Sequence, residues 1–204
     1  GRDQQEKIWQ TAEVDALRRL AAAGVRVPKP YDMLEGVLLM ELITDDAGDV
    51  APRLCDVVLT EEQALEDHAL MMHYAVLMLC AGLVHGDLSE FNVLVDAYGP
   101  VIIDLPQAVN AAANNHAEAF FLRDVNNMTR YYGQYAPGLV DSRYGEEIWA
   151  LYEAGDLHPE VSLTGEFEDS REAANVEDVL AEIKAAFEEE QERQERLHDA
   201  RDPD

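Results

Sequence analysis

The sequence predicts an α+β fold that is mostly helical and carries two short β-hairpins. Three observations lead there. Apolar residues recur at helical spacing over residues 4–22 and again over 60–82. Two pairs of short apolar runs, within 31–43 and 92–103, are each split by turn-forming residues. From about Asn114 onward the pattern is helical again, and it ends in a Glu-dense stretch.

Taken in order, Ile8, Ala12, Ala16, Leu17 and Leu20 line one face of the first helix, and Gly24, Pro28 and Pro30 stop it. Tyr31 to Leu34 and Val37 to Ile43 flank Glu35-Gly36, which suits a tight hairpin turn. Residues 45–52 are rich in Asp, Gly and Pro and read as a loop. Thr60 with Gln63 forms a capping box, and Leu65, Ala69, Met72, Val76 and Leu79 mark the buried face of a long helix ending near Gly82. Asn92 to Val95 and Pro100 to Ile103 make a second hairpin across Asp96-Ala97-Tyr98-Gly99. From Glu166 to Asp204, Val176, Val179, Leu180, Ile183 and Phe187 give an amphipathic helix with a solvated acidic end. There is no internal repeat.

Composition narrows the function. Nearly half the residues are apolar, yet no run approaches the roughly 18 needed to cross a bilayer, and no secretory leader is legible. A cytoplasmic protein without a membrane partner is expected. The formal charge of -27 argues against direct nucleic-acid binding, which depends on Lys and Arg contacts to phosphate. With only Lys7, Lys29 and Lys184 present, an anionic ligand must arrive with a metal ion or meet positive groups from elsewhere. The same acidity suits a salt-rich cytoplasm. Cys55 and Cys80 are too few for a disulfide scaffold and are expected to be buried, reduced thiols.

The chemistry is concentrated in His85-Gly86-Asp87-Leu88-Ser89-Glu90-Phe91-Asn92 and in Ile102-Ile103-Asp104 beyond the hairpin. If Val95 pairs with Pro100, Asn92 falls opposite Ile103 and thus beside Asp104. Asp87, on the loop entering the first strand, lies at the same end. Two carboxylates and one amide suit a hard cation such as magnesium, which takes oxygen ligands and is often shared with substrate phosphates.

The pattern H-x-D-x-x-x-x-N followed by a separate Asp resembles the kinase-like phosphotransferases. Ser-Glu-Phe-Asn92, and Gln107 three residues after Asp104, narrow this to a resemblance to the RIO-type atypical serine/threonine protein kinases; Arg123-Asp124-Val125-Asn126-Asn127 also fits. The resemblance runs from about Trp9 to Pro137. Leu105-Pro106-Gln107 is closest in wording to the bacterial branch of that family. It implies a protein-kinase-like fold, ATP and Mg2+ as cofactors, and a protein substrate. Asp87 would be the catalytic base, Asn92 and Asp104 the metal ligands, and Asp104 in some members a transient phosphate acceptor. Met40, Glu41 and Ile43 would form the adenine-binding hinge, and Glu13 would match the glutamate that pairs with the ATP-binding lysine.

On this reading residues 1–43 are a remnant of the N-lobe, with the helix C equivalent, a hairpin and the hinge. Residues 44–165 are the C-lobe and 166–204 an acidic tail. No glycine-rich loop and no Val-Ala-x-Lys strand precede Glu13, so the N-lobe sheet is expected to be largely missing. A truncated or processed form of a longer kinase is expected from the start at Gly1-Arg2-Asp3 without Met, rather than a chain that has lost the small lobe and no longer phosphorylates. His85 is expected to brace the loop rather than react, and Ser89 and Glu90 to close it. Arg123 and Asp124 are expected to form a buried ion pair, and Tyr131, Tyr132 and Tyr135 to belong to a core. Two alternatives stay open. One is a small-molecule kinase of the aminoglycoside or choline type, which Ser89-Glu90-Phe91 and Gln107 argue against. The other is a non-catalytic kinase-like scaffold whose acidic tail holds a basic partner.

Overall fold

A computed structural model describes residues 2–34 and 36–168; the helix predicted over 166–204 lies almost wholly outside the described residues. Residues 1–166 form one compact unit. Helix α1 spans Arg2–Ala23 and ends where Gly24 adopts a φ of 93°. The Val25 amide then reaches back to the Leu20 carbonyl at 3.0 Å, a closing bond that favours glycine at this left-handed position. Ala16, Leu17 and Leu20 are buried, but Ala12 is exposed, so the apolar face is shorter than the spacing predicts.

Strands β1 (Pro30–Leu34) and β2 (Val37–Met40) form the expected antiparallel hairpin, which stops three residues before Ile43. Leu34 is 71% and Val37 70% exposed, so the end of this hairpin adds little to the core. Helix α2 (Glu61–Cys80) opens on the predicted capping box: the Gln63 amide donates to Thr60 Oγ1 and the Thr60 amide to Gln63 Oε1. Its buried face differs from the prediction at the first two turns. Leu65 and Ala69 are exposed, while Ala64, His68 and Met71 turn inward; Met72, Val76 and Leu79 are buried as predicted. A buried histidine explains the shift. His68 Nε2 lies 3.0 Å from Thr129 Oγ1 and its ring packs against Tyr132 and Tyr144, so a nominally polar residue occupies a core position.

Beyond α2, β3 (Leu83–Val84) pairs with β6 (Val109–Asn110), a pairing too short for the sequence pattern to announce. Strands β4 (Val93–Asp96) and β5 (Gly99–Ile102) form the second hairpin with Val95 opposite Pro100, the register the turn spacing implies. Arg26 fixes this hairpin to the end of α1. Its guanidinium grips Asp96 at 2.5 and 2.9 Å and its carbonyl accepts the Ile102 amide at 2.9 Å. That cation holds the Asp96 carboxyl below its usual range. Helices α3 (Ala117–Gly133) and α4 (Tyr144–Ala154) complete the helical layer against α2.

The core runs between α1, α2, α3 and α4 and under the β4–β5 hairpin, through Leu20, Met71, Leu79, Val93, Ile102, Met128 and Ile148. Tyr131 and Tyr132 belong to it, and the Tyr131 and Tyr135 hydroxyls donate to the Leu54 and Val57 carbonyls. The cysteines depart from expectation: Cys80, the last residue of α2, is exposed, and Cys55 is half-buried in a 3-10 turn over Leu54–Asp56. Cys80 sits at the end of α2, where the side chain leaves the core, and Cys55 is the middle residue of its short turn.

Candidate active site

The loop between β3 and β4 is held by side chains beneath it. His85 is buried; its Nδ1 accepts from the Asp87 amide at 3.2 Å and its Nε2 donates to the Ile103 carbonyl at 3.0 Å. These contacts assign the neutral Nε2–H tautomer, and burial accordingly lowers the imidazole pKa. His85 therefore links the loop bearing Asp87 to the strand end bearing Asp104, as the bracing role requires.

Asp124, on the first half of α3, supplies a second anchor. Its carboxylate accepts the Gly86 amide at 2.7 Å and the Leu88 amide at 3.1 Å, and Asn127 Nδ2 donates to the Leu88 carbonyl at 3.1 Å. Burial pushes the Asp124 carboxyl up to about 6 despite the two amide donors, which oppose the shift. The expected buried ion pair is only half present. Asp124 is 3% exposed, but the Arg123 side chain is half exposed, lies 3.8 Å from Asp124 Oδ1 and donates to the Gly86 carbonyl. Asp124 pins the loop through backbone amides; its partner works from the surface.

The hairpin register brings the remaining groups together. The Ile103 amide donates to the Asn92 carbonyl at 3.0 Å, so Asn92 and Asp104 leave the paired strands side by side. Asn92 Nδ2 donates to the Asp87 carbonyl at 2.8 Å and approaches Asp87 Oδ2 at 3.5 Å. That orientation turns the amide oxygen of Asn92 away from Asp87, and among the described residues it accepts no hydrogen bond. Asp104 has a φ of 65°, and it is the sole non-glycine with positive φ among the described residues. Backbone strain of this kind concentrates at functional sites.

Asp87 and Asp104 are both exposed, and both carboxylates act on the buried ring of His85. Glu13 on α1 faces the same region: burial first, then the Asp104 charge, raises its carboxyl pKa. Three carboxylates and an amide oxygen thus share one patch, and such a patch favours a cation. Among the described residues no group of three or more His, Cys, Asp or Glu side chains is placed to hold a metal ion by itself. The donor set fits magnesium all the same, because Asn92 and Asp104 offer hard oxygens and the ion commonly completes its shell with water and phosphate.

The residues expected to form a hinge lie apart from this cluster in sequence. Met40 closes β2. The Glu41 amide donates to the Lys29 carbonyl at 2.8 Å, and the Ile43 carbonyl accepts the Ala51 amide at 3.0 Å. The Glu41 carbonyl and the Ile43 amide have no partner among the described hydrogen bonds. Two residues that sequence reasoning underused emerge here. Asp124 holds loop amides where the sequence predicts an ion pair, and Gln107, which the sequence marks only through the family resemblance, has its Nε2 3.5 Å from Asp87 Oδ2.

The small helical layer, the two hairpins and this loop–hairpin cluster define a partial protein-kinase fold. Comparison with known proteins makes the class specific: residues 1–144 match the RIO domain, and the chain belongs to that family. It is 39% identical over 126 residues to the RIO-type serine/threonine-protein kinase Rio1 of Haloferax volcanii, covering 62% of this chain and 42% of that protein. It is 32% identical over 137 residues to the serine/threonine-protein kinase rio1 of Schizosaccharomyces pombe, covering 66% and 27%. With the human serine/threonine-protein kinase RIO1 the identity is 34% over 138 residues, covering 67% and 24%. The matched part thus spans less than half the length of these relatives.

Proposed function

We propose that this chain carries the phosphoryl-transfer centre of a RIO-type serine/threonine kinase, acting on a protein hydroxyl with ATP and Mg2+ in the cytoplasm. The observation that carries the reading is the convergence of Asp87, Asn92 and Asp104. One amide locks Asp87 through its carbonyl and Oδ2, leaving Oδ1 to meet a substrate.

Asp87 Oδ1 takes the proton of the attacking hydroxyl as the new O–P bond forms. The bond from the γ-phosphorus to the bridging oxygen breaks, and the leaving ADP keeps that electron pair. Asn92 and Asp104 would hold the cation through the amide oxygen and the carboxylate. When bound, magnesium neutralises charge on the phosphate oxygens. The Glu41 carbonyl and the Ile43 amide at the end of the β1–β2 hairpin, next to Met40, take the adenine edge, and Glu13 stands where the glutamate that pairs with an ATP-binding lysine is expected. His85 and Asp124 keep the loop in place and touch no reactant.

The test is magnesium-dependent release or transfer of labelled phosphate from ATP by this chain. We expect Asp87→Ala and Asp104→Ala each to reduce it at least a hundredfold, with the melting curve little changed. Magnesium-independent turnover, or turnover indifferent to both substitutions, rejects the reading. Failure of wild type to shift its melting temperature with Mg-ATP leaves the non-catalytic scaffold as the better account.

A further inference from the structure

We propose that Gln107 is a positioning residue for Asp87: its side-chain amide and that of Asn92 hold one carboxylate oxygen between them and so aim the other at the substrate hydroxyl. This rests on the phosphoryl-transfer reading of the same site. Gln107 Nε2 and Asn92 Nδ2 each lie 3.5 Å from Asp87 Oδ2. Both contacts are long, and both fall on the same oxygen. Among the described residues no hydrogen bond reaches Asp87 Oδ1, which is the geometry a general base needs: one oxygen tethered, the other open.

The backbone around Gln107 supports a fixed placement. The Ala108 amide donates to the Leu105 carbonyl at 3.0 Å, closing a turn over Leu105-Pro106-Gln107-Ala108. Proline stands at the second position of that turn, where its restricted φ is favoured, and buried Leu105 anchors the entry. Gln107 is exposed, yet its carbonyl oxygen would lie 2.7 Å from a Cβ built on Gly86. Gly86, at a φ of 83°, is therefore the residue that allows the Gln107 turn to close against the catalytic loop. A residue held this tightly to the neighbour of Asp87, with its donor turned onto the Asp87 carboxylate, does more than cover the loop.

Two substitutions separate positioning from packing. Gln107→Glu keeps the size and shape but replaces the donor with a like charge; Gln107→Leu keeps most of the bulk and removes the donor. We expect both, on the full chain, to lower kcat for phosphate release about tenfold or more while KM for ATP changes less than about twofold. Packing alone predicts that Gln107→Glu behaves as wild type. An activity-free readout accompanies this: three-bond couplings to Asp87 Cγ report its χ1 rotamer by NMR. We expect one rotamer in wild type and averaged couplings in Gln107→Leu. Unchanged couplings in that variant overturn the role of Gln107 whether or not the chain turns over ATP. Absence of turnover in wild type sinks the functional reading instead, and the couplings still decide whether Gln107 holds Asp87.

Discussion

Asp124 and His68 show how single buried polar groups set the behaviour of this chain. Asp124 accepts two loop amides at 2.7 and 3.1 Å in a site that is 3% exposed, so Asp124→Ala leaves both donors without a partner. An unsatisfied buried donor costs about 1–3 kcal/mol, and we expect Asp124→Ala to lower the unfolding free energy from urea melts by at least one such increment, moving the midpoint down accordingly. Activity should fall further than stability, because the freed amides belong to the residues on either side of Asp87. An unchanged midpoint would show that water replaces the carboxylate. His68 acts through acid. Burial lowers its pKa from 6.5 to about 4, so on acidification the unfolded chain binds this proton before the folded one does. Its contribution is fully present above pH 6.5 and is lost as pH falls toward 4, on the order of 3 kcal/mol over the window. Urea melts of wild type and His68→Gln at pH 7.5 and 4.5 check this. The stability gap between the two should narrow or reverse at the lower pH, and a constant gap would falsify it.

At the scale of elements, the β4–β5 hairpin is the part that converts sequence into chemistry. Its register was legible because side chains alternate with a period of two and Asp96 to Gly99 fixes the turn, so pairing Val95 with Pro100 left one possible partner for Asn92. The capping box of α2 was legible for a similar reason: it is a local exchange of two hydrogen bonds. What was not legible depends on long-range packing. The inward turn of His68, the two-residue pairing of β3 with β6 and the exposure of Cys80 are decided by neighbours tens of residues away. The φ of 65° at Asp104 belongs to the same class, since no local pattern demands it. It carries a prediction. A non-glycine residue in the left-handed region costs roughly 1 kcal/mol or more relative to glycine. Asp104→Gly should therefore be more stable than Asp104→Ala by about that amount in thermal melts, while both lose any magnesium-dependent response to ATP. Equal stabilities would mean that this residue relaxes to negative φ once its carboxylate is gone.

The whole molecule is governed by an imbalance that no single contact relieves. Forty-two acidic residues face 15 Lys and Arg, a formal charge of -27, and the ion pairs of the described residues engage only a few of those carboxylates. Self-repulsion of this size works against the compact state and against the approach of a polyphosphate alike. The sequence made this plain, since charge is a property of composition, and the hairpin register brought Asp87 and Asp104 to one end; the approach of Glu13 to Asp104 needed the fold. Screening lengths fall from about 10 Å at 0.1 M salt to about 3 Å at 1 M, so added salt removes most of the repulsion between surface carboxylates. Thermal melts in KCl should accordingly rise by about 5 °C or more from 0.05 to 1 M, a gain of the order of 1–2 kcal/mol for a chain of this size. Choline chloride at equal ionic strength should give the same rise, because the effect lies in screening and not in bound potassium. A melting temperature that stays flat in both salts would mean that the acidic groups are spread widely enough not to limit stability. A rise in KCl alone would place the effect in specific cation sites, with the patch around Asp104 the first to examine.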